Sequence, residues 1–237
     1  MYDSIIISDL HLGSEICQAK TIDKFLSAIK HKEILTKELI LNGDVFDSWD
    51  FRRLKKTHWN VLSMLRKLSD EIHIIWINGN HDGPAEIVSH LLGVDVAEEY
   101  IFQSGDKKIL ALHGDKFDSF ITKHPIITAI ADFFYRKMQY IDKSFYWSRW
   151  AKKTSKTFLR CSQRIEAKAI EYCKKKGCDI VCCGHTHMAI EHKENGYFNS
   201  GCWTELPPTY LTILDGAVNL RWYYEDNNSD GCVAPAN

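Results

Sequence analysis

The chain has 237 residues, 45% of them hydrophobic and 12% aromatic, so it can bury one sizeable core. Thirty basic side chains face 31 acidic ones for a formal net charge of -1, and the pI near 6.8 excludes a global basic field that would hold nucleic acid nonspecifically. There is no run of about 18 apolar residues and no signal-peptide pattern, which leads us to expect a cytoplasmic protein. Its 8 cysteines show neither CxxC pairs nor zinc-finger spacing, and the adjacent Cys182 and Cys183 read as small buried apolar residues on a strand rather than a disulfide.

In chain order, the apolar run Ser4 to Ser8 predicts a first strand, followed at once by Asp9-Leu10-His11. A helical pattern near 18 to 31 leads to a strand near 37 to 42 that ends at Gly43-Asp44. The next helix is expected near 53 to 68, behind the basic run Arg52-Arg53-Leu54-Lys55-Lys56. A strand near 72 to 77 runs into Gly79-Asn80-His81-Asp82, and a short helix should follow Pro84. Strands near 101 to 103 and 107 to 112 precede His113-Gly114-Asp115.

Between Lys116 and Gly177 the pattern is helical over about 60 residues and predicts two or three helices. Aromatic and basic residues interleave there, at Phe145-Tyr146-Trp147-Ser148-Arg149-Trp150 and then Lys152, Lys153 and Lys156. One reading is a helical hairpin with an apolar stripe on the sheet and solvated lysines. The other is a cap offering an apolar slot and basic groups for phosphate or another anionic group. After Asp179 come short strands at 180 to 183, 187 to 192, 196 to 199, 209 to 214 and 217 to 224, suited to a second sheet closing on the first. Residues 1–224 therefore read as one α/β domain with an insertion at 116–177, and the polar tail 225–237 is expected to be disordered.

Taken singly, each polar cluster has an ordinary explanation: Asp-x-His is a solvated loop, Gly-Asp a turn, Asn-Gly-Asn a tight turn. Together, five clusters at strand ends in fixed order, closing with Gly184-His185-Thr186-His187, read as a two-metal hydrolytic site. Asp9 and His11, two residues apart on an extended segment, would point the same way and share an ion. Asp44 brings a carboxylate with two oxygens, able to span two cations. A donor set of Asp, Asn and His without cysteine favours manganese, iron, zinc or cobalt.

These five clusters resemble the signature of the calcineurin-like metallophosphoesterases, and the resemblance covers Ile5 to about Trp222. It implies two sheets face to face with helices outside them, in four layers, and metals at one rim. His11-Leu12-Gly13-Ser14, Gly43-Asp44-Val45-Phe46-Asp47-Ser48-Trp49, His113-Gly114-Asp115-Lys116-Phe117-Asp118 and Asn199-Ser200-Gly201-Cys202-Trp203-Thr204-Glu205 are similar to the UDP-2,3-diacylglucosamine diphosphatase branch and its relatives.

Carried over by position, the resemblance implies one metal on Asp9, His11, Asp44 and His187, and the other on Asp44, Asn80, His113 and His185. Two divalent ions, manganese first, would lie about 3.5 to 4 Å apart and supply a hydroxide near neutral pH. His81 is the residue it assigns to catalysis, as acid or charge stabiliser, with Asp82 orienting the His81 ring or capping the following helix. The branch's best-known enzymes carry arginine where this chain has His81, a weaker, titratable clamp for a diphosphate.

Arg52, Arg53 and Arg149 are candidate substrate contacts, although the start of a solvated helix is the more ordinary explanation of Arg52 and Arg53. Asp47 and Asp115 are candidates to orient His11 and His113, or else turn residues. His31, His73 and His124 read as solvent or packing residues. The substrate implied is a phosphorylated, amphiphilic small molecule met at the inner membrane face through peripheral contact, with no nucleic acid. The alternatives are hydrolysis of a soluble nucleotide or phosphodiester, and a metal-holding scaffold without catalysis.

Overall fold

The computed structural model describes residues 1–83, 86–118 and 155–224. Its apolar runs form strands buried on both faces. β1 (Tyr2–Ile7), β2 (Thr36–Asn42), β3 (His73–Ile77) and a short β4 (Asp95–Ala97) pair in parallel. Along them the side chains alternate: Ile5, Ile7, Leu39, Leu41, Ile74 and Trp76 enter one core, and Ile6, Ile40, Ile75 and Ile77 enter another. This is why the strands read as continuous hydrophobic runs rather than alternating ones.

The first core is closed by α1 (Ala19–Lys30), α2 (Lys56–Ser69) and α3 (Glu86–Leu92). Ile22, Phe25, Leu26 and Ile29 of α1 and Val61, Leu62, Leu65 and Leu68 of α2 recur every three or four residues and share one buried face. Truncating one of them, such as Leu65, to alanine would cost about 2 to 5 kcal/mol. α2 starts later than its pattern suggests, because Phe51–Arg53 form a 3-10 turn in which the Asp50 carboxylate accepts the Arg52 N–H.

The second sheet contains β5 (Tyr100–Ser104), β6 (Lys107–Ala111), β7 (Ile180–Cys183), β8 (Ala189–His192) and β9 (Tyr197–Ser200), in the order β5-β6-β7-β9-β8. Ile109, Ala111, Cys182 and Phe198 face the first sheet, while Leu110, Leu112, Val181, Cys183 and Tyr197 face α4 (Lys156–Lys175). Cys182 and Cys183 thus point to opposite sides, and the described cysteines are all free. The layers run helices, sheet, sheet, helix: the two-sheet α/β sandwich that the resemblance implied.

The late strands divide differently from expectation. β7, β8 and β9 join the second sheet, whereas β10 (Thr209–Leu214) and β11 (Ala217–Trp222) return to the first, giving the order β11-β10-β1-β2-β3-β4. β10 runs antiparallel beside β1 and closes that strand's free edge, with Leu211 and Ile213 still facing the core between the sheets. Of the insertion expected at 116–177, α4 and a 3-10 turn at Asp115–Phe117 are described. Residues 119–154, with Arg149, His124 and the aromatic and basic stretch, lie outside the described residues, as does the tail 225–237. Among the described residues no helix is long and apolar enough to cross a membrane.

Candidate metal centre

β1, β2, β3, β6 and β7 all end at one rim, and each is followed within three residues by one of the polar clusters. The rim is where an open α/β sheet presents its chemistry. The backbone there is unusual. Seven non-glycine residues among those described have positive φ, and five of them are Asp9 (54°), His11 (48°), Asp44 (52°), His185 (66°) and His187 (53°). A left-handed non-glycine residue costs on the order of 1 kcal/mol or more, and such residues concentrate where the surrounding structure enforces them for function. Asp9 and His11 therefore converge through left-handed turns, not along the extended segment that their spacing suggested.

Three groups of side chains result, each with ligand atoms within 4.8 Å of one another: Asp9 with His11 and His187, Asp44 with His113 and His185, and His11 with Asp47 and His81. His187 Nε2 lies 3.1 Å from both Asp9 Oδ1 and His11 Nε2. Asp44 stands between the first two groups, its Oδ2 at 3.8 Å from His11 Nε2 and 3.3 Å from His113 Nε2. Its Oδ1 accepts the His81 backbone N–H at 2.9 Å. Asn80 is exposed at the neighbouring turn position, and it is Gly79 and His81 that pack on Asp44.

Glycine makes this crowding possible at two positions. A Cβ on Gly43 (φ 86°) would collide with the His113 ring, and one on Gly79 would collide with the backbone nitrogen and Oδ1 of Asp44. The glycine of each pair thus admits a ligand residue from another strand.

Three of the imidazoles, His113, His11 and His81, meet a backbone or carboxylate oxygen through Nδ1. His113 Nδ1 donates to the Asn42 carbonyl at 2.9 Å, turning Nε2 inward. His11 Nδ1 lies 3.5 Å from Asp47 Oδ1, and Asp47 Oδ2 is held by Arg53 Nη2 at 2.6 Å. His81 Nδ1 donates to the Asp47 carbonyl at 3.0 Å. Asp9 Oδ2 accepts from the Ser8 hydroxyl and from His185 N–H, leaving Oδ1 toward the histidines. Asn199, fully buried, donates to Gly184 O at 2.6 Å and to Thr186 Oγ1 at 3.2 Å, steadying the loop that carries His185 and His187.

Burial alone would raise Asp9 and Asp44, but His187 beside the first and His113 beside the second outweigh it and hold both carboxyls below their usual range. Burial likewise opposes charge on His113 and His11, yet Asp44 for the former and Asp47 for the latter raise both imidazoles. Such a pocket of ionised carboxylates demands positive charge. Two buried atoms aimed into it, Asp9 Oδ1 and His113 Nε2, make no well-formed hydrogen bond and meet only the other ligand side chains, His187 Nε2 at 3.1 Å and Asp44 Oδ2 at 3.3 Å. Orphaned buried donors and acceptors are rare, and here both are good divalent-metal ligands, so the residues fit the metals that the donor set implies.

Other expected residues take different places. Asp82 does not meet the His81 ring: it is fully buried, with Oδ1 accepting from Phe46 N at 2.9 Å and Oδ2 from Trp76 Nε1 at 3.1 Å and Gly79 N at 3.0 Å. Nor does it cap α3, which begins four residues later. Burial first, and Asp44 second, raise its carboxyl. Arg52 is bound to Asp50 and Arg53 to Asp47 and Ser48, so Arg53 meets the centre through Asp47. Asp115 opens the 3-10 turn, while the Asn42 carbonyl holds His113. The Asn199 brace and the Asp118 contact to His185, 3.1 Å, were not singled out from sequence, although both residues lie inside the quoted motifs.

A family model described as calcineurin-like phosphoesterase matches residues 4–189. The UDP-2,3-diacylglucosamine hydrolase of Blochmanniella pennsylvanica is 29% identical over 119 residues, 47% of this chain and 46% of that protein. The matched stretch thus spans less than half of that curated relative. Among solved structures, Chaetomium thermophilum Vps29 aligns with a TM-score of 0.49 and 14% identity over 96% of this chain and 92% of its own. Pseudomonas putida nuclease MPE aligns with a TM-score of 0.36 and 22% identity over 46% of this chain and 52% of its own. With the family model covering every cluster from Asp9 to His187, the chain belongs to the calcineurin-like phosphoesterase family.

Proposed function

We propose that the protein is a dinuclear-metal hydrolase that cleaves the diphosphate of UDP-2,3-diacylglucosamine to UMP and a lipid monophosphate. The observation that carries the hydrolase reading is Asp44 set between two ligand groups, with one carboxylate oxygen near a histidine of each. Asp9, His11, Asp44 and His187 would hold one ion, and Asp44, Asn80, His113 and His185 the other, manganese being the first candidate. Such ions supply a water acidic enough to attack phosphorus at neutral pH and positive charge for the phosphoryl oxygens.

The chain's own groups do the rest. Asp9, Asp44 and His113 form the closed side of the centre, while His187, His81 and Asn80 are more open and mark the side a substrate would enter. Because His81 Nδ1 is engaged by the Asp47 carbonyl, Nε2 is the nitrogen left to meet a phosphoryl or leaving oxygen. The water oxygen bonds to phosphorus as the bridging P–O bond breaks; His81, as imidazolium, would give its Nε2 proton to the departing phosphate oxygen, and the proton lost by the attacking water would pass to solvent, from which His81 is reprotonated.

The substrate assignment is supported by the identity to the Blochmanniella relative, and an amphiphilic substrate would be met at a membrane surface. A soluble phosphodiester is the second reading, favoured by His81 standing where an arginine fork would grip a diphosphate more firmly.

The test is turnover of UDP-2,3-diacylglucosamine by the manganese-loaded protein, beside bis-p-nitrophenyl phosphate and a chelator control for each. Chelator-sensitive release of UMP supports the lipid substrate. Cleavage of the generic diester alone removes it and keeps the metal chemistry.

A further inference from the structure

His185 is one of the three residues gathered around Asp44, yet its ring is fixed from outside that group. Its Nε2 lies 3.1 Å from Asp118 Oδ2, with both side chains at most a tenth exposed. That contact leaves Nδ1 as the nitrogen for the group. Asp118 is itself held from two elements: its N–H donates to the Asp115 carbonyl at 2.8 Å, and its Oδ1 accepts from Cys161 Sγ of α4 at 3.5 Å. Lys168 of α4 pins the same turn through the Phe117 carbonyl. One segment therefore delivers a ligand, His113, and five residues later a carboxylate for a ligand on the neighbouring strand.

Resting on the metal reading above, we infer that Asp118 is a positioning residue for His185 and that one of the two metal positions depends on it selectively. A carboxylate on the far nitrogen of a ligating histidine fixes its tautomer and ring plane and strengthens it as a donor. Asp47 stands in the same relation to His11, in the other group. The two carboxylates thus address different ions.

Manganese titration of the full chain by calorimetry, with electron paramagnetic resonance to detect the coupled two-ion signal, separates them. Wild type should bind two ions. Asp118→Ala should weaken one ion about 100-fold and Asp118→Asn, which keeps an acceptor without the charge, about 10-fold, the range that such partners command. The coupled signal should disappear at manganese levels that saturate wild type and return at excess manganese. Asp47→Asn should weaken the other ion.

Unchanged affinities for both ions in the Asp118 variants, or equal loss of both, would overturn the inference while leaving the two-metal reading intact. A wild-type chain that binds no manganese would overturn that reading, and this inference with it. If Asp118→Ala fails to fold, the isosteric Asp118→Asn decides.

Discussion

The strands of the two sheets carry buried polar groups at both ends, and the two ends treat them in opposite ways. At the N-terminal ends, Glu38 is buried but its oxygens accept from Ser4 Oγ, Tyr100 OH and His73 Nδ1, and His73 Nε2 reaches Asp95. Asp3 likewise collects Lys37, Ser104 and the Asp215 N–H, tying β1 to both the second sheet and the β10–β11 turn. At the C-terminal ends, left-handed backbone at Asp9, His11, Asp44, His185 and His187 builds the centre, where Asp9 Oδ1 and His113 Nε2 make no well-formed hydrogen bond. A satisfied buried network staples a fold, whereas one left short of donors and held in strained turns is set up to bind something.

The largest effect should come from Asp44→Ala, which removes the group between both ligand clusters. Turnover of any phosphoester should fall by more than about 1,000-fold, some 4 kcal/mol of barrier, with manganese binding lost in the same titration and the circular dichroism of the metal-free chain retained. Next comes His81→Ala, which keeps the backbone N–H that Asp44 accepts. Turnover should drop about 100-fold with manganese affinity unchanged, and an equal loss of metal would remove the role given to this ring.

At the opposite end, Glu38→Ala strands the Ser4 and Tyr100 hydroxyls and should cost about 1 to 3 kcal/mol in urea unfolding while manganese affinity stays at its wild-type value. A fall in affinity would mean that the two ends are not independent. The smallest effect concerns acid. The Lys37 ammonium first, with the Asp215 N–H and Ser104, holds Asp3 at about 2 rather than 3.8. A folded value below the unfolded one stabilises fully above about pH 4 and is lost as pH falls toward about 2. Asp3→Asn should therefore flatten the decline of the urea midpoint over that interval and leave activity at neutral pH unaltered.

His73 shows why the quieter end was harder to read than the metal rim. As a lone histidine opening a strand it carries no spacing signal, and only packing of β3 against β2 and β4 brings it to Glu38 and Asp95. The hydrogen bond to Asp95, against an opposing effect of burial, and then Glu38 raise its imidazole. β10 was equally opaque: nothing in its own residues says that it returns to pair with β1. Asp82 was visible as a motif residue, but its carboxylate was claimed by Phe46, Trp76 and Gly79, donors that come from separate parts of the chain.

What the sequence determined by itself was the set of strands, their buried character and the five polar clusters at their ends, because hydrophobic period and motif spacing are local properties of the chain. What only the tertiary structure decided was orientation: which sheet each late strand joined, that Asp9 and His11 converge through left-handed turns, and that Asn42, Asp47 and Asp118 aim His113, His11 and His185. Those choices depend on contacts between residues distant in sequence, where a carboxylate or carbonyl goes to whichever donor the packed core brings within 3 Å or so.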